Sequence, residues 1–330
     1  MENIHALIKQ CGLGTIEGEI LRVSGGYMHK MFKVHTSAGI YAVKSLNPEI
    51  MCRPDALVNF SEAERLERIL EDAGLPVVAA LSFDGKKMMS VNGSYYYVFP
   101  WLEGKITDFN SIDPDQCYTA GSLLGRIHGI ESETFVSEEH EICNINFENL
   151  LDEARSEESI IVPLLESNIS LLENACAKLN EARNNLPKIR VISDDDMDPK
   201  NIMWHNGNAY IIDLECLGYS NPVSSCLELS LQWAGIVTEH FNKENLESFF
   251  KGYLDNYDNG FRKYHELIGV AYTWVEWLEY NIRRALGMVS SDPEEIKLGE
   301  SETINTINRI KYLNSIEVEI CSVLEKVQGR

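Results

Sequence analysis

The chain has 330 residues and a mass of 37.4 kDa, a length that fits about two domains or one unit of two lobes. Its 44% hydrophobic and 24% charged residues are typical of a folded protein, which excludes disordered, collagen-like and disulfide-stapled classes. With 29 basic and 51 acidic residues the net charge is -22, which argues against nucleic acid or an anionic membrane as a partner and favours a small cationic molecule.

The negative charge is concentrated in the second part of the chain. Residues 1–104 contain 10 Lys or Arg and 12 Asp or Glu, whereas residues 105–330 contain 19 and 39. An acidic surface can also serve solubility alone. The eight cysteines lack the two-residue spacing of zinc or dithiol sites. With no basic leader and no apolar run of about 18 residues, the sequence predicts a cytoplasmic protein without a membrane segment.

The first part of the chain has the pattern of a small β-rich lobe. Three short strands over 19–47 predict an antiparallel meander, and apolar residues at helical spacing over 56–74 predict a helix after it. An aromatic-rich hairpin follows, and then a turn at Glu103 and Gly104. The composition changes at that turn, which predicts domains at 1–104 and 105–330.

The second part of the chain is predicted to be mainly helical. Helical patterns cover 113–130, 159–185 and most of 222–330, and short strand-loop-strand units lie between them. The fold class is therefore α+β, with one small β-rich lobe and one large helical lobe. Small-molecule sites often lie between such lobes.

One acid-rich turn, over 193–201, is the most informative stretch for chemistry. It ends in Asn201 and is followed by Asp213 after a short hydrophobic strand. Carboxylate and amide oxygens in this order suit Mg²⁺ beside a carboxylate base, as phosphoryl transfer requires. The alternative is an ordinary turn with solvated side chains, since Asp and Asn are common turn formers.

The order Asp196, four residues, Asn201, then Asp213 within IIDLE resembles the catalytic and metal loops of the aminoglycoside phosphotransferase and choline kinase superfamily. The resemblance extends over about residues 15–285. It implies a bilobal protein-kinase-like fold, with Asp196 as the catalytic residue and with Asn201 and Asp213 as ligands of Mg²⁺.

The resemblance also implies a nucleotide site in the first lobe. Lys44 in IYAVKSLN matches the third-strand lysine that holds phosphate oxygens, although a strand lysine read alone is usually a surface residue. Glu62 is matched with the helix glutamate that orients this lysine, and Glu64 and Glu67 are rival candidates. The remaining matches form two groups: the phosphate-covering loop, Ser24, Gly25 and Gly26, and the edge where adenine would bind, Phe99, Trp101 and Leu102.

The chain departs from the superfamily pattern just before the catalytic residue. Asp194 stands where the family usually has a histidine that braces the loop, and Asp195 replaces a common glycine. Three adjacent carboxylates repel one another, which could raise a pKa or recruit an additional cation. Because the phosphate, metal and catalytic matches are all present, we expect an active enzyme.

The function implied is transfer of the γ-phosphate of ATP or GTP, with Mg²⁺, to a hydroxyl of an aminoglycoside-like or amino-sugar substrate, as in antibiotic resistance. Alternatives are a choline or other small-alcohol kinase, and a non-catalytic nucleotide-binding relative of the kind found in spore coats. A metal-dependent hydrolase is a third idea, but it lacks histidine ligands.

Candidates for binding a cationic acceptor come from the acidic second lobe. They are an aspartate in the acid-rich turn and three residues of the helix TWVEWLEYNIRRALG: Asp198, Trp274, Glu276 and Glu279. The alternative for the helix is a buried tryptophan stripe, with Glu279 paired to Arg283 within the helix. The sequence leaves the acceptor, the purine and the oligomeric state open.

Overall fold

The computed structural model of the protein describes residues 2–23, 29–130 and 142–328. The chain divides into two compact units: the first comprises Met1–Thr107 and Lys200–Gly218, and the second comprises Asp108–Pro199 and Tyr219–Arg330. The sequence placed the boundary at residue 104 and assigned everything after it to the second domain. In the structure the first segment extends to Thr107, and the chain returns to the first unit for residues 200–218.

The elements of the described chain are numbered in sequence order. The strands are β1 (Leu21–Val23), β2 (Lys30–Thr36), β3 (Gly39–Ser45), β4 (Met89–Val91), β5 (Ser94–Pro100), β6 (Lys105–Ile106), β7 (Val191–Asp194), β8 (Ile202–His205), β9 (Asn208–Ile211) and β10 (Leu217–Ser220). The helices are α1 (Glu2–Gln10), α2 (Pro48–Met51), α3 (Ala56–Asp72), α4 (Pro114–His128), α5 (Phe147–Ser156), α6 (Val162–Glu166), α7 (Ile169–Asn185), α8 (Pro222–Trp233), α9 (Lys243–Leu254), α10 (Trp274–Ala285) and α11 (Pro293–Gln328).

The first unit is built on an antiparallel sheet with the strand order β1-β2-β3-β5-β4 among the described residues. The predicted meander and hairpin are therefore confirmed. Lys44 on β3 lies opposite Met31 on one side and Tyr97 on the other. The central position of β3 fixes the backbone of Lys44 through hydrogen bonds to both neighbouring strands.

Helix α3 follows the meander, as its periodicity predicts. Its buried apolar residues Phe60, Ala63, Leu66 and Leu70 recur at helical spacing and form one face. The helix ends before Gly74, whose φ of +70° is the left-handed conformation that glycine adopts most readily. Helix α1, which the sequence patterns did not predict, adds a second apolar face to the core of the sheet.

The second segment of the first unit is a β-hairpin. Strands β8 and β9 pair antiparallel around Asn206 and Gly207, both with positive φ, the dipeptide that tight hairpin turns prefer. β6 pairs with β8. The hairpin is also joined to the segment after α3, because the Val78 N–H donates to the Ile211 carbonyl at 2.8 Å. These bonds hold residues 200–218 within the first unit.

The second unit is mainly helical, as predicted. α4 begins with a capping box between Asp113 and Gln116 and packs closely against α9. Their backbones approach at glycines: a Cβ on Gly121 would lie 2.0 Å from the Phe249 carbonyl oxygen. The predicted helix over 159–185 is divided into α6 and α7. No helix in the described ranges is long and apolar enough to cross a bilayer.

Candidate active site

Lys44 is the centre of a charged cluster in the first unit. Its side chain is only 7% exposed, and Nζ lies 2.5 Å from Asp213 Oδ1 and also contacts Glu215 Oε2. Burial alone would lower the pKa of Lys44, but the two carboxylates raise it above its usual value. The lysine therefore remains a cation in a position closed to bulk water.

Glu215 links Lys44 to a histidine that the sequence analysis did not identify. Burial would raise the pKa of Glu215, but contacts with His29 and Lys44 lower it to about 2. His29 Nε2 lies 3.2 Å from Glu215 Oε1, while its Nδ1 accepts a hydrogen bond from the Asn47 N–H at 2.9 Å. Because Nδ1 is an acceptor, the ring proton is on Nε2 and is donated to Glu215.

The β8–β9 hairpin brings the two predicted metal ligands to the same end of the first unit. Ile202 pairs with Ile211, and the Ile212 N–H donates to the Asn201 carbonyl at 2.9 Å. Asn201 is thus bonded to the residue before Asp213. Asp213 itself has φ +63° and ψ +55°, a left-handed conformation that is uncommon outside glycine and often marks functional sites.

The predicted pairing of Glu62 with Lys44 is not what the structure shows. Both carboxylate oxygens of Glu62 accept hydrogen bonds from Arg65, at 2.8 and 2.6 Å. The rival candidates are engaged as well: Glu64 accepts from the Tyr97 hydroxyl at 2.9 Å, and Glu67 accepts from Lys87 at 2.7 Å. The carboxylates that contact Lys44 come instead from residues 213–215.

The predicted adenine edge at the end of β5 is ordered by local contacts. Trp101 Nε1 donates to Glu103 at 2.7 Å, and Lys33 Nζ lies 4.1 Å from the centroid of the Trp101 ring. The backbone N–H of Trp101 donates to the Ile40 carbonyl at 3.1 Å. That N–H is therefore already used within the sheet, and Phe99 packs against the core beneath it.

A groove of about 630 Å³ lies beside Pro100, Trp101 and Leu102 within the first unit. Neither Lys44 nor Asp213 lines it. The groove therefore does not include the charged cluster around Lys44. The residues predicted to form the phosphate-covering loop, Ser24, Gly25 and Gly26, lie outside the described residues.

The acid-rich turn of the second unit carries Asp196. Met197 N–H donates to the Asp194 carbonyl at 3.2 Å, and Asp198 N–H donates to the Asp196 carbonyl at 2.8 Å, which closes the turn. Asp194 is fully buried, and its Oδ1 accepts from the Asp196 N–H at 3.3 Å. The adjacent carboxylates are thus placed in different surroundings, and Asp195 accepts hydrogen bonds from serine hydroxyls.

Two of the acceptor candidates on α10 are paired with arginines. Glu276 forms a bidentate contact with Arg183, at 2.6 and 2.8 Å. Glu279 accepts from Arg283 at 2.8 Å, the intrahelical pair given as the alternative in the sequence analysis. An arginine already neutralises each of these carboxylates, which weakens the prediction that they hold a cationic substrate.

The other two acceptor candidates differ in surroundings. Trp274 has the Arg309 guanidinium 5.9 Å from its ring centroid, so one cation already lies near this aromatic face. Asp198 is 6% exposed and belongs to the turn closed by Asp196.

Glu228 on α8 is a titratable group that sequence reasoning left without a role. It accepts hydrogen bonds from Ser224 at 2.8 Å and from Thr273 at 2.7 Å. Burial raises the pKa of Glu228 to about 7; the charge of Asp195 adds to this rise, while the hydroxyl bonds and Arg183 oppose it. This carboxyl therefore holds its proton to a higher pH than an exposed glutamate does.

The fold is that of the kinase-like phosphotransferases, and comparison with known proteins identifies the family. The phosphotransferase enzyme family matches residues 19–267, more than half of the chain. The chain therefore belongs to the phosphotransferase enzyme family. The superfamily predicted from the acid-rich turn and IIDLE is confirmed.

Solved structures agree in fold at low sequence identity. A spectinomycin phosphotransferase in complex with ADP and spectinomycin shares 14% identity and a TM-score of 0.63, over 98% of both chains. A choline/ethanolamine kinase family protein from Mesorhizobium loti shares 14% identity and a TM-score of 0.60, over 98% of this chain and 99% of that one. An amicoumacin kinase with AMP-PNP and Ca²⁺ shares 12% identity and a TM-score of 0.59, over 93% and 94%. No curated protein gave a significant match.

Proposed function

We propose that the protein transfers the γ-phosphoryl group of ATP or GTP to a hydroxyl of a small, cationic molecule of the aminoglycoside or amino-sugar class. The observation that carries the proposal is the buried Lys44 in contact with Asp213, at the end of the hairpin that also holds Asn201. Phosphoryl transfer depends on positioning and charge neutralisation, and these residues supply both. Family membership and the ADP and AMP-PNP complexes of similar structures support a nucleotide as donor.

In this proposal Lys44 binds phosphate oxygens of the nucleotide. A lysine ammonium has three donors, so Lys44 can keep a carboxylate contact while donating to a phosphate. Asp213 and Glu215 hold the side chain toward the end of the sheet, which reduces the entropy lost when the nucleotide binds. His29 in turn fixes Glu215.

Asn201 and Asp213 are the residues that would hold Mg²⁺. An amide oxygen and a carboxylate are hard oxygen donors of the kind Mg²⁺ prefers, so the donor chemistry fits this ion. When bound, the ion would neutralise charge on the phosphate oxygens. Asp213 has a left-handed backbone conformation, and its carboxylate lies beside Lys44.

Asp196 is proposed as the residue that accepts or orients the proton of the acceptor hydroxyl. It is half-buried in a closed turn, and its neighbours Asp195 and Met197 are both hydrogen-bonded to α8. A carboxylate in this role must lie within hydrogen-bond reach of the acceptor hydroxyl. General-base assistance of this kind contributes about 10²–10⁴-fold in rate.

The acceptor class rests on charge more than on contacts. Residues 105–330 have 39 acidic and 19 basic residues, which would attract a cationic acceptor. The likeness to a choline/ethanolamine kinase family protein favours a choline or other small-alcohol kinase as the second candidate. Both acceptors are cationic hydroxyl compounds, so charge alone does not separate them.

Nucleoside diphosphate release should be measured across aminoglycosides, amino sugars, choline and ethanolamine, with ATP or GTP and Mg²⁺. We expect turnover with one acceptor class and a thermal shift of the protein by one or both nucleotides. The matched control is Asp196→Asn, which keeps the size of the side chain and should retain the nucleotide shift without turnover. A nucleotide shift with no turnover on any acceptor would support the non-catalytic alternative.

A further inference from the structure

Both neighbours of Asp196 in the chain are tied to α8. On one side, the Asp195 carboxylate accepts a hydrogen bond from the Ser225 hydroxyl at 2.6 Å. On the other side, the Met197 carbonyl accepts one from Trp233 Nε1 at 3.0 Å. Ser225 and Trp233 are separated by about two turns of the same helix. Asp196 therefore lies between two residues that are both hydrogen-bonded to the same helix.

The Asp195 carboxylate accepts two further hydrogen bonds besides the one from Ser225. Oδ1 also accepts from the Ser193 hydroxyl at 2.7 Å, and Oδ2 accepts from the Ser220 hydroxyl. The three donors lie on β7, β10 and α8. Hydroxyl bonds to a carboxylate are charge-assisted and stronger than neutral ones, although Asp195 is an exposed residue and water weakens them.

The network continues into the buried interior of the second unit. His128 Nε2 lies 3.1 Å from Ser193 Oγ, and His128 Nδ1 lies 2.9 Å from the Tyr253 hydroxyl. Burial lowers the pKa of His128 to about 3, so the ring is neutral. Because Ser193 donates its proton to Asp195, it must accept from His128 Nε2–H, and Nδ1 then accepts from Tyr253. Each group in this chain, from Tyr253 through His128 to Ser193, therefore donates its hydrogen bond to the next group on the way to Asp195.

We propose that Asp195 is a positioning residue, whose carboxylate braces the turn and aims Asp196. The proposal rests on the proposed function, because it assigns the aim of the residue that would receive the acceptor proton. It also accounts for the departure from the family pattern in this turn: the bracing comes from a carboxylate bound by three serines. An aspartate at 195 is suited to the role because a carboxylate accepts several hydroxyl bonds at once, whereas glycine accepts none through a side chain.

The variant Asp195→Asn keeps the shape of the side chain but removes the charge and one acceptor oxygen. We expect kcat to fall about tenfold to a hundredfold, since small displacements of a reacting group have effects of this size, with little change in KM or in nucleotide affinity. Ser225→Ala should also lower kcat, and its effect should not add fully to that of Asp195→Asn, because both variants weaken the hydrogen bonds of the same side chain. Glu173→Gln, an exposed carboxylate on α7, is the matched control and should leave kcat unchanged.

A second measurement does not depend on turnover. Amide hydrogen exchange in peptides that cover residues 190–201 should be at least several-fold faster in Asp195→Asn than in the wild-type protein, with no change in α11. Unchanged exchange would overturn the bracing role even if no acceptor were found. Faster exchange with unchanged kcat would show that the turn does not position Asp196 for catalysis. A loss of kcat as complete as in Asp196→Asn would make Asp195 a catalytic residue. Either result would overturn the proposal.

Discussion

The crossing of α4 and α9 offers a strict test of the packing, through the variant Gly121→Ala. A Cβ on Gly121 would lie 2.0 Å from the Phe249 carbonyl oxygen and 2.9 Å from its carbonyl carbon. Both contacts are backbone atoms, so no side chain can rotate away. The helices would have to separate by about 1 Å, and close-packed interiors resist such a shift.

Two opposing terms set the expected size of the effect. Replacement of glycine by alanine within a helix is worth about 1 kcal/mol in favour of the variant. Overpacking typically costs about 1–3 kcal/mol and occasionally more, and a backbone contact this short belongs at the upper end. We therefore expect a net loss of about 2 kcal/mol in the free energy of unfolding and a fall in melting temperature of roughly 5 °C.

Urea unfolding followed by circular dichroism measures this loss directly. Gly218→Ala is the matched control, because the nearest atom to its Cβ would be 4.0 Å away. The same crossing holds His128 beside Tyr253, so Gly121→Ala should also lower kcat through the bonds that reach Ser193. An unfolding free energy within about 0.5 kcal/mol of the wild-type value would refute the packing argument.

Three further predictions concern single carboxylates. Asp196→Asn should lower kcat at least about a hundredfold while nucleotide binding, measured by thermal shift, stays within twofold. Glu215→Gln should weaken nucleotide binding about tenfold, because Lys44 loses one of its two carboxylate contacts. Glu62→Gln, which removes a contact with Arg65, should leave nucleotide binding unchanged. Equal effects of the two variants would contradict the pairing of Glu215, instead of Glu62, with Lys44. Glu228 has a folded pKa of about 7 against an ordinary 4.5, so its contribution to stability is full below pH 4.5 and is lost as the pH rises through 7. Compared with the wild-type protein, Glu228→Gln should therefore gain up to about 3 kcal/mol in unfolding free energy between pH 4.5 and pH 8, as measured by urea unfolding; a constant difference would exclude the shift.

Local patterns were sufficient to predict the elements that position the site. Residues close together in the chain determine which face of a strand or helix is buried. This is why the alternation over β2 and β3 and the apolar spacing of α3 could be read from the sequence. The spacing of Asp196 and Asn201 identified the family because a loop motif is contiguous in the chain. Helix α1 was missed although its buried residues Ile4, Leu7 and Ile8 recur at helical spacing, because the segment is short.

Side-chain contacts between residues that are far apart in the sequence could not be predicted in the same way. The sequence made three glutamates of α3 candidates for Lys44, but in the structure each forms a hydrogen bond with another side chain: Arg65, Tyr97 or Lys87. Which carboxylate reaches the lysine depends on distances set by packing, not on helix position. The serine bonds of Asp195 likewise join residues up to 30 positions apart, and no local pattern reports them.

The discontinuity of the first unit has a consequence for how the protein is made. A ribosome delivers residues 1–107 early, yet the unit also needs Lys200–Gly218, which emerge only after nearly a hundred further residues. Until then the edge of β6 lacks its partner β8, and Val78 lacks the Ile211 carbonyl. The first unit is completed only when residues 200–218 have been synthesised, so the Lys44 cluster cannot form before Asp213 emerges. A fragment that ends at residue 107 would consequently be an incomplete unit.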